Sequence, residues 1–433
     1  MEKIGVGMRN NILFFLILSS CGLFAFSFED KVYSDNIKTV MLFPNFGNIQ
    51  SQLHPPIIPI NQSNPLVLHF DDFSEFVEDY YARIINCNHD WTSSGLPDMD
   101  FLREFNEYPV NQYVYSSNTY SKYIHFTFQV PKVRLSGNYL LVVYKDSNRD
   151  QPILTKRFVV YENLVNVGIN MLFSNVLSQR FSHQQLDAVV TYPNFNLPNP
   201  TDLHFYVRQN HRWDNMKYLK PLFMQLNQRM LDYRYFNGEN TYPGLNEYRS
   251  FDTRSVMFSR SGVEERKTSN KGPEVVLQND KSRRDLGYEL VPDINGKFFI
   301  LKYESGDGMT DGDYVKVLFT LQTEERTDVK VHVLGAFNDW QISDEFQMKY
   351  VKERGAYQLT ALLKQGFYNY SYVSARGDKK SIIIDETDWE GSHSAAENVY
   401  EGIVYYRGFG SRSDRAIGYT QVSTGQAVRM NNR

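Results

Sequence analysis

The sequence has few of the residues that support covalent or charge-driven functions. Only two of its 433 residues are cysteines, Cys21 and Cys87. The formal net charge is −4 and no basic stripe is present, which argues against nucleic acid as a partner. The catalytic signatures HExxH and GxSxG, the P-loop and GxGxxG are missing. The sequence therefore predicts a protein that is not an enzyme and that uses no cofactor and no metal.

The segment NCNHDW is the strongest remaining candidate for chemistry. It places Cys87 close to His89 and Asp90. A Cys/His nucleophile needs the two side chains within hydrogen-bond reach, which near neighbours on a strand rarely achieve. We therefore interpret the segment as a capped turn that Trp91 closes.

Long apolar runs are also scarce, and the strongest lies at the N-terminus. Residues 1–27 combine a basic start at Lys3 and Arg9 with an apolar core and a small-residue cleavage site, the pattern of an export signal. LSSC, which ends at Cys21, also resembles a lipoprotein cleavage box, and both processing routes stay open. Either route leaves Cys87 without an internal disulfide partner. No later segment is long and apolar enough to cross a bilayer, so we predict an exported protein without a transmembrane segment in the mature chain.

Aromatic residues, in contrast, are abundant, at 15% of the chain. They concentrate in short runs rich in β-branched residues, separated by turn clusters. Examples are LVLHF (66–70), YIHFTFQV (123–130), LDAVVTY (186–192) and YVKVLFTL (314–321). The last of these alternates apolar and polar residues, which is typical of a strand with one buried face. No long segment with helical periodicity separates the runs, so the sequence predicts an all-β protein.

We predict three consecutive antiparallel β-sandwiches of the immunoglobulin, fibronectin or E-set type. The predicted bounds are 28–162 for the N-terminal sandwich, 163–303 for the middle sandwich and 304–418 for an E-set-like C-terminal sandwich, after the signal at 1–27 and before a polar tail at 419–433. The stretch YESGDGMTDGDY (303–314) has no apolar periodicity and is the predicted joint between the last two sandwiches.

The stretch QNHRWDN contains our candidate partner contacts, Trp213 and Arg212. An exposed tryptophan beside an arginine would suit a protein–protein hot spot. Alternatively, the tryptophan packs under a loop and Arg212 pairs with Asp214. Both interpretations stay open at this point.

Several motifs occur in an order that resembles one known family. They are Cys87-x-x-Asp90-Trp91, YSSNT (115–119), SGNYLLVVY (136–144), QNHRWDN (209–215) and DINGKFFI (293–300). Over roughly residues 35–420 this order is similar to that of the plug proteins of the type IX secretion system. The resemblance implies a periplasmic protein that binds the inner mouth of a very large outer-membrane β-barrel translocon. Such a plug sterically closes the pore, lies peripheral to the outer membrane and performs no catalysis.

The third predicted sandwich also resembles the glycogen-binding, isoamylase-type module. VHVLGAFNDW (331–340) matches a strand signature of that family, in which the tryptophan at the Trp340 position stacks on glucose. In that family a second tryptophan comes from the loop after a later aromatic strand, which GFYNYSYV (366–373) matches. Here that loop, SARGDKKSII (374–383), supplies no aromatic ring, whereas sugar sites usually need two converging rings. We therefore interpret Trp340 as a structural corner. A periplasmic protein that binds α-glucans through this sandwich is the alternative function.

Overall fold

The computed structural model describes residues 26–146, 148–258, 260–378 and 381–425. Nearly all of the predicted signal at 1–27, with Cys21, lies outside the described residues, as does the end of the predicted tail. Within the described residues no helix is long and apolar enough to span a membrane.

Strands account for nearly all of the regular structure. In the first part of the chain they are β1 Lys31–Val32, β2 Ile37–Pro44, β3 Ile57–Pro59, β4 Leu66–Asp72, β5 Tyr80–Cys87, β6 Tyr108–Pro109, β7 Gln112–Tyr115, β8 Ile124–Gln129, β9 Gly137–Lys145 and β10 Pro152–Tyr161. In the middle part they are β11 Asn166–Phe173, β12 His183–Thr191, β13 Leu203–Gln209, β14 Lys217–Leu219, β15 Phe223–Gln225, β16 Met230–Asp232 and β17 Thr241–Pro243.

The last part of the chain continues the same pattern. Its strands are β18 Arg249–Asp252, β19 Val263–Ser269, β20 Gly272–Leu277, β21 Asp280–Lys281, β22 Phe298–Ile300, β23 Tyr314–Gln322, β24 Lys330–Leu334, β25 Lys349–Val351, β26 Ala356–Lys364, β27 Gly366–Asp378, β28 Ser381–Asp385, β29 Val399–Tyr406 and β30 Arg415–Ser423. Three short helices are α1 Asp98–Phe101, α2 Gly308–Asp311 and α3 Thr387–Glu390. Single 3-10 turns occupy Ile49–Leu53, Leu177–Gln179, Pro200–Asp202, Leu226–Gln228, Ala336–Asn338, Asp344–Phe346 and Lys352–Arg354. The predicted all-β class is therefore confirmed.

Strand β9 shows why some runs are apolar throughout instead of alternating. It lies between β5 and β10, and both of its faces are covered. Tyr139, Leu141 and Val143 enter the core of the first sandwich. Leu140 and Val142 enter a second core that also contains Tyr206 and Ile403 from later strands. A strand buried on both faces reads as one continuous hydrophobic run.

One ten-stranded sheet runs through the first and middle sandwiches. Its order is β14-β13-β29-β30-β10-β9-β5-β6, with β1 and β3 also paired to β10. The two halves join where β10 meets β30 in parallel, at Tyr161 and Ala416. A four-stranded sheet, β2-β4-β8-β7, covers the first half, and the β11-β12-β16-β15 sheet, with β17, covers the second.

The structure differs from the predicted domain bounds at the end of the chain. The core of the middle sandwich combines residues from Val165 to Tyr242 with Tyr400, Val404 and Ile417. Residues 399–423 therefore complete the middle sandwich, and β30 forms where the polar tail was predicted. The pairing of β29 with β13 joins segments almost 200 residues apart, as in Phe205↔Val404. Local apolar periodicity carries no information about such distant pairing, so the predicted bounds were wrong there.

The third sandwich is inserted between the two parts of the middle one. Its core runs from Phe251 to Trp389 and also takes in Met41 and Phe43 from β2. The first sandwich therefore packs directly on the third through β2, as well as on the middle one through the shared sheet. All three sandwiches meet at one place in the molecule.

Candidate functional site

The three sandwiches meet around a cavity of about 140 Å³. Its lining includes Asp30, Lys156, Arg212, Trp213, Lys297 and Trp340. The structure thus brings Trp340 together with the neighbouring residues Arg212 and Trp213, although Trp340 lies more than 120 residues further along the chain. We call this region the junction.

Arg212 is only 2% exposed, which favours the alternative in which it pairs with Asp214 over a contact with a partner. Its Nε donates to Asp214 Oδ1 at 3.0 Å, and its Nη1 donates to Glu386 Oε2 at 2.5 Å. The guanidinium carbon lies 4.1 Å from the ring centroid of Trp340. A buried arginine needs such paired acceptors, and this one has two carboxylates. Arg212 is therefore a structural residue that ties β13 to the segment before α3.

Trp213 is half-buried, and neighbouring side chains pack against its indole. The guanidinium carbon of Arg208 lies 3.7 Å from the ring centroid. The ring of Trp91 meets it edge-on at 4.9 Å between centroids. Trp213 thus packs the first sandwich against the middle one, and its potential as a partner contact stays untested.

Trp340 is 7% exposed and packs against the ring of Tyr248 at 5.5 Å between centroids. Gly296 lies directly beneath it, with a φ of +77°, and a Cβ on that residue would come within 2.5 Å of the indole. Only glycine is compatible with both the left-handed backbone and the close approach. With Arg212 on the ring as well, no face of Trp340 is open to a glucose ring.

A buried ion network holds the strands that surround the junction. Glu401 on β29 is fully buried, and its Oε2 accepts from Arg208 Nε at 2.6 Å. His211 Nδ1 lies 3.0 Å from the same oxygen, and Tyr419 donates to Oε1 at 2.5 Å. Burial by itself raises the pKa of Glu401, but Arg208 and His211 outweigh it and lower the pKa. The carboxylate is therefore ionised at neutral pH and pairs with Arg208.

An ion pair and a hydrogen bond also connect the first sandwich to the third. Lys156 Nζ on β10 lies 2.5 Å from Asp339 Oδ1, beside Trp340. Burial by itself lowers the pKa of Lys156, but the charges of Asp339 and Asp30 outweigh burial, so the pKa is raised overall. Elsewhere between these two sandwiches, Asp313 Oδ1 accepts a hydrogen bond from the backbone N–H of Tyr120 at 2.7 Å. These contacts fix the relative positions of the two sandwiches.

Acid is expected to weaken the junction through His211. Burial lowers the pKa of His211 to about 4, although Glu401 acts in the opposite direction. In the unfolded chain the pKa is about 6.5, so the unfolded state binds the proton first. The contribution of His211 to the free energy of unfolding is therefore fully present above about pH 6.5. It is lost as the pH drops towards 4, by up to about 3 kcal/mol.

Replacing His211 by glutamine is expected to remove that part of the pH dependence. We expect the difference in the urea unfolding midpoint between pH 7 and pH 5 to shrink in H211Q. The exposed His54 supplies the comparison: burial and Lys297 lower its pKa as well, but it is not enclosed as His211 is, so H54Q should reduce the difference less than H211Q does. An unchanged pH dependence in H211Q would contradict the assignment of this acid sensitivity to His211.

Cys87 and His89 are held apart by their own contacts. Cys87 is fully buried, and burial raises the pKa of its thiol. His89 Nδ1 lies 2.7 Å from the hydroxyl of Tyr206, and its ring stacks on that of His204 at 3.9 Å. No hydrogen bond joins Cys87 to His89 among the described residues. Over the same part of the chain, no group of three or more His, Cys, Asp or Glu side chains is arranged to hold a metal ion.

Glu401, Asp71 and Lys364 were not among the residues predicted from the sequence. Lys364 Nζ lies 2.6 Å from Asp71 Oδ2, and both side chains are fully buried. The sequence does contain a sign that these charges are buried. Each of them lies inside or at the end of an apolar run, as in VYEGIVYY and ALLKQG. Charged residues at such positions are almost never buried unless they are paired. The fold and the junction together define a protein of several β-sandwiches that are held together by buried ion pairs.

Comparison with known proteins gives a family match over the first sandwich. Residues 37–162 match the family model described as the first domain of the type 9 secretion system plug protein. This stretch covers most of the first sandwich, and over it the predicted resemblance to the type IX secretion plug family is confirmed. The similarity of the third sandwich to the glycogen-binding module stays a prediction.

A solved structure matches nearly the whole chain. The crystal structure of a hypothetical protein from Parabacteroides merdae is 29% identical and superposes with a TM-score of 0.85, covering 92% of this chain and 100% of its own. An Escherichia coli α-2-macroglobulin activated by porcine elastase is 9% identical, covers 89% of this chain and 30% of its own, and has a TM-score of 0.16, which is too low to inform the fold. No curated protein matches significantly.

Proposed function

We propose that the protein is a non-catalytic periplasmic plug that binds the inner mouth of the type IX secretion translocon and sterically closes its pore. The observation that carries the proposal is the match of residues 37–162 to the plug family. That match supports a plug role in type IX secretion. Binding to the outer-membrane barrel itself, export by the N-terminal signal and the periplasmic location are part of the proposal.

The architecture suits a steric stopper. A body that obstructs a wide pore must keep its shape under thermal motion, and closely packed interiors have low compressibility. Here one sheet continues from the first sandwich into the middle one, and the third packs on both. Buried pairs such as Lys156 with Asp339 cross between the sandwiches. The units are therefore expected to move as one body.

The α-glucan alternative has no support in the described residues. Its ring, Trp340, is covered by Arg212 and Tyr248. A polysaccharide site needs exposed rings that converge on the ligand. We therefore propose no carbohydrate-binding function.

Capture of the translocon tests the proposal. We expect the tagged mature protein, isolated from membranes in mild detergent, to bring down a very large outer-membrane barrel in a near-stoichiometric amount. An exported protein of similar size that carries the same tag is the control and should not bring down the barrel. Repeated recovery of the protein without any such barrel would contradict the proposal.

A further inference from the structure

Strand β11 forms an open edge of the outer sheet of the middle sandwich. It spans Asn166–Phe173, eight residues, and among the strands that the structure describes it pairs only with β12. The register runs from Asn166↔Thr191 to Phe173↔Gln184 without a bulge. Among the described residues no hydrogen bond connects its backbone to any other segment. An edge of this length leaves a row of backbone donors and acceptors without strand partners.

The hydrogen bonds of β12 show which backbone groups these are. The N–H of Leu186 donates to the carbonyl of Asn240, and the carbonyl of Ala188 accepts from the N–H of Tyr233. Even-numbered residues of β12 therefore face β16 and β17. In an antiparallel sheet the residues that bond to one neighbour alternate with those that bond to the other. The odd-numbered residues of β12 consequently face β11.

The register then assigns the groups on β11. Asn170 lies opposite Asp187 and Leu172 lies opposite Gln185, so the even-numbered residues of β11 bond to β12. The backbone N–H and C=O groups of the odd-numbered residues point away from the sheet. These residues are Val167, Ile169, Met171 and Phe173. Together they present four donors and four acceptors at the spacing of a β-ladder.

The usual protection of a free edge is missing on β11. Natural edge strands are blunted by charged residues, proline, bulges or very short length. The edge strand β19, by contrast, carries the sequence VEERKTS. On the opposite edge of the outer sheet, β15 has only three residues. β11 reads NVGINMLF and contains neither charge nor proline.

Exposed apolar side chains continue the edge beyond the end of β11. Phe173 is 58% exposed, Leu177 is 84% exposed and Phe181 is 80% exposed. The loop that carries them is fixed, because Gln179 Oε1 accepts from Ser174 and Thr241. Gln185 in turn accepts from the backbone N–H of Asn175 at 2.9 Å. Exposed apolar side chains on a well-bonded loop mark an interaction surface.

We propose that the open edge of β11 binds an extended segment of the partner protein, which adds to the outer sheet as a further strand. In this mode main-chain hydrogen bonds supply affinity and neighbouring side chains supply specificity. The segment is uncharged where it lies along β11 and apolar where it reaches Phe173, Leu177 and Phe181. The inference rests on the proposed function in that the translocon supplies the segment.

A second copy of this chain fits the edge less well. Two-fold antiparallel pairing of β11 with itself would place the apolar end at Phe173 opposite the polar end at Asn166. Leu177 and Phe181 lie beyond the strand, so the self-paired edge would leave them uncovered. Self-association that depends on β11 is therefore an outcome that would overturn the proposal.

Proline at a free N–H position tests the proposal. Met171→Pro removes one outward donor and places a ring at the edge, and we expect translocon capture to fall about tenfold or more. Met171→Leu keeps the N–H and should capture normally. Tyr113→Pro alters the open edge of β7 in the first sandwich, where Ser116 N–H bonds to Tyr123 O, so Tyr113 also faces outwards. It should capture normally as well.

The outcomes separate the edge from the plug function. If the unchanged protein captures the barrel and Met171→Pro does so equally well, the edge proposal fails and the function stands. Loss with Tyr113→Pro instead would transfer the docking site to β7. If the unchanged protein captures no barrel, the function itself fails.

Hydrogen exchange on the unchanged protein tests the proposal without any variant, so its result does not depend on whether a variant folds. Amides of the odd-numbered residues from Val167 to Phe173 should exchange rapidly in the free protein and about tenfold or more slowly in the captured complex. The even-numbered amides should be protected in both states. Equal exchange at 167–173 with and without the barrel would overturn the proposal.

Discussion

Replacing Glu401 by glutamine is expected to lower the free energy of unfolding by about 3–5 kcal/mol. The substitution keeps the size of the side chain but removes the charge that compensates Arg208. Arg208 is 1% exposed, and only its Nε has a carboxylate partner. Its terminal nitrogens, Nη1 and Nη2, have no hydrogen-bond acceptor in the described part of the chain. An uncompensated guanidinium would thus remain in the interior, between β13 and β29.

Urea unfolding of the mature protein, followed by tryptophan fluorescence, measures the effect. Glu265 supplies a control, since it pairs with Lys267 on the surface and both side chains are more than half exposed. Exposed pairs contribute little, so Glu265→Gln should change the free energy of unfolding by less than about 1 kcal/mol. Equal effects of the two substitutions would mean that Arg208 does not depend on Glu401.

Lys364→Met is expected to cost a similar amount, about 3–5 kcal/mol, for the opposite reason. It leaves the carboxylate of Asp71 buried without its cation. Asp71 also accepts from Tyr314 Oη at 2.6 Å and lies 2.7 Å from His125 Nδ1. Asp71 is on β4 and Lys364 is on β26, so the pair connects the first sandwich to the third.

A double substitution separates the pair from the surrounding packing. Adding Asp71→Asn to Lys364→Met removes the unpaired charge, and we expect it to recover part of the lost stability. Replacing both partners of a buried pair by neutral groups costs less than removing one. If the double variant is less stable than Lys364→Met alone, the carboxylate acts mainly through Tyr314 and His125.

The sequence predicted those features that local patterns encode. The alternation of YVKVLFTL predicts a strand with one buried face, and the apolar residues of β23 form such a face, although Tyr314 and Thr320 on the other face are buried as well. The all-β class and the plug family also followed from patterns along the chain. Each of these signals lies within a few residues of sequence or in the order of short motifs.

Features that depend on distant contacts could not be predicted. β29 and β30 have the periodicity of any strand, and only their pairing with β13 and β10 places them in the middle sandwich. Arg212 has a local partner in Asp214, but its burial depends on Glu386 and Trp340 from the third sandwich. The open edge of β11 likewise becomes visible only when the neighbours of every other strand are known.

Conductance through the isolated translocon tests the central claim most directly. With the purified barrel in a planar bilayer, mature protein added on the periplasmic side should reduce the open-pore current to the level of the bare membrane. The effect should saturate near one protein per barrel and reverse when the protein is washed out. Binding of the protein to the barrel with an undiminished current would contradict the account, because the protein would then be a partner of the pore without closing it.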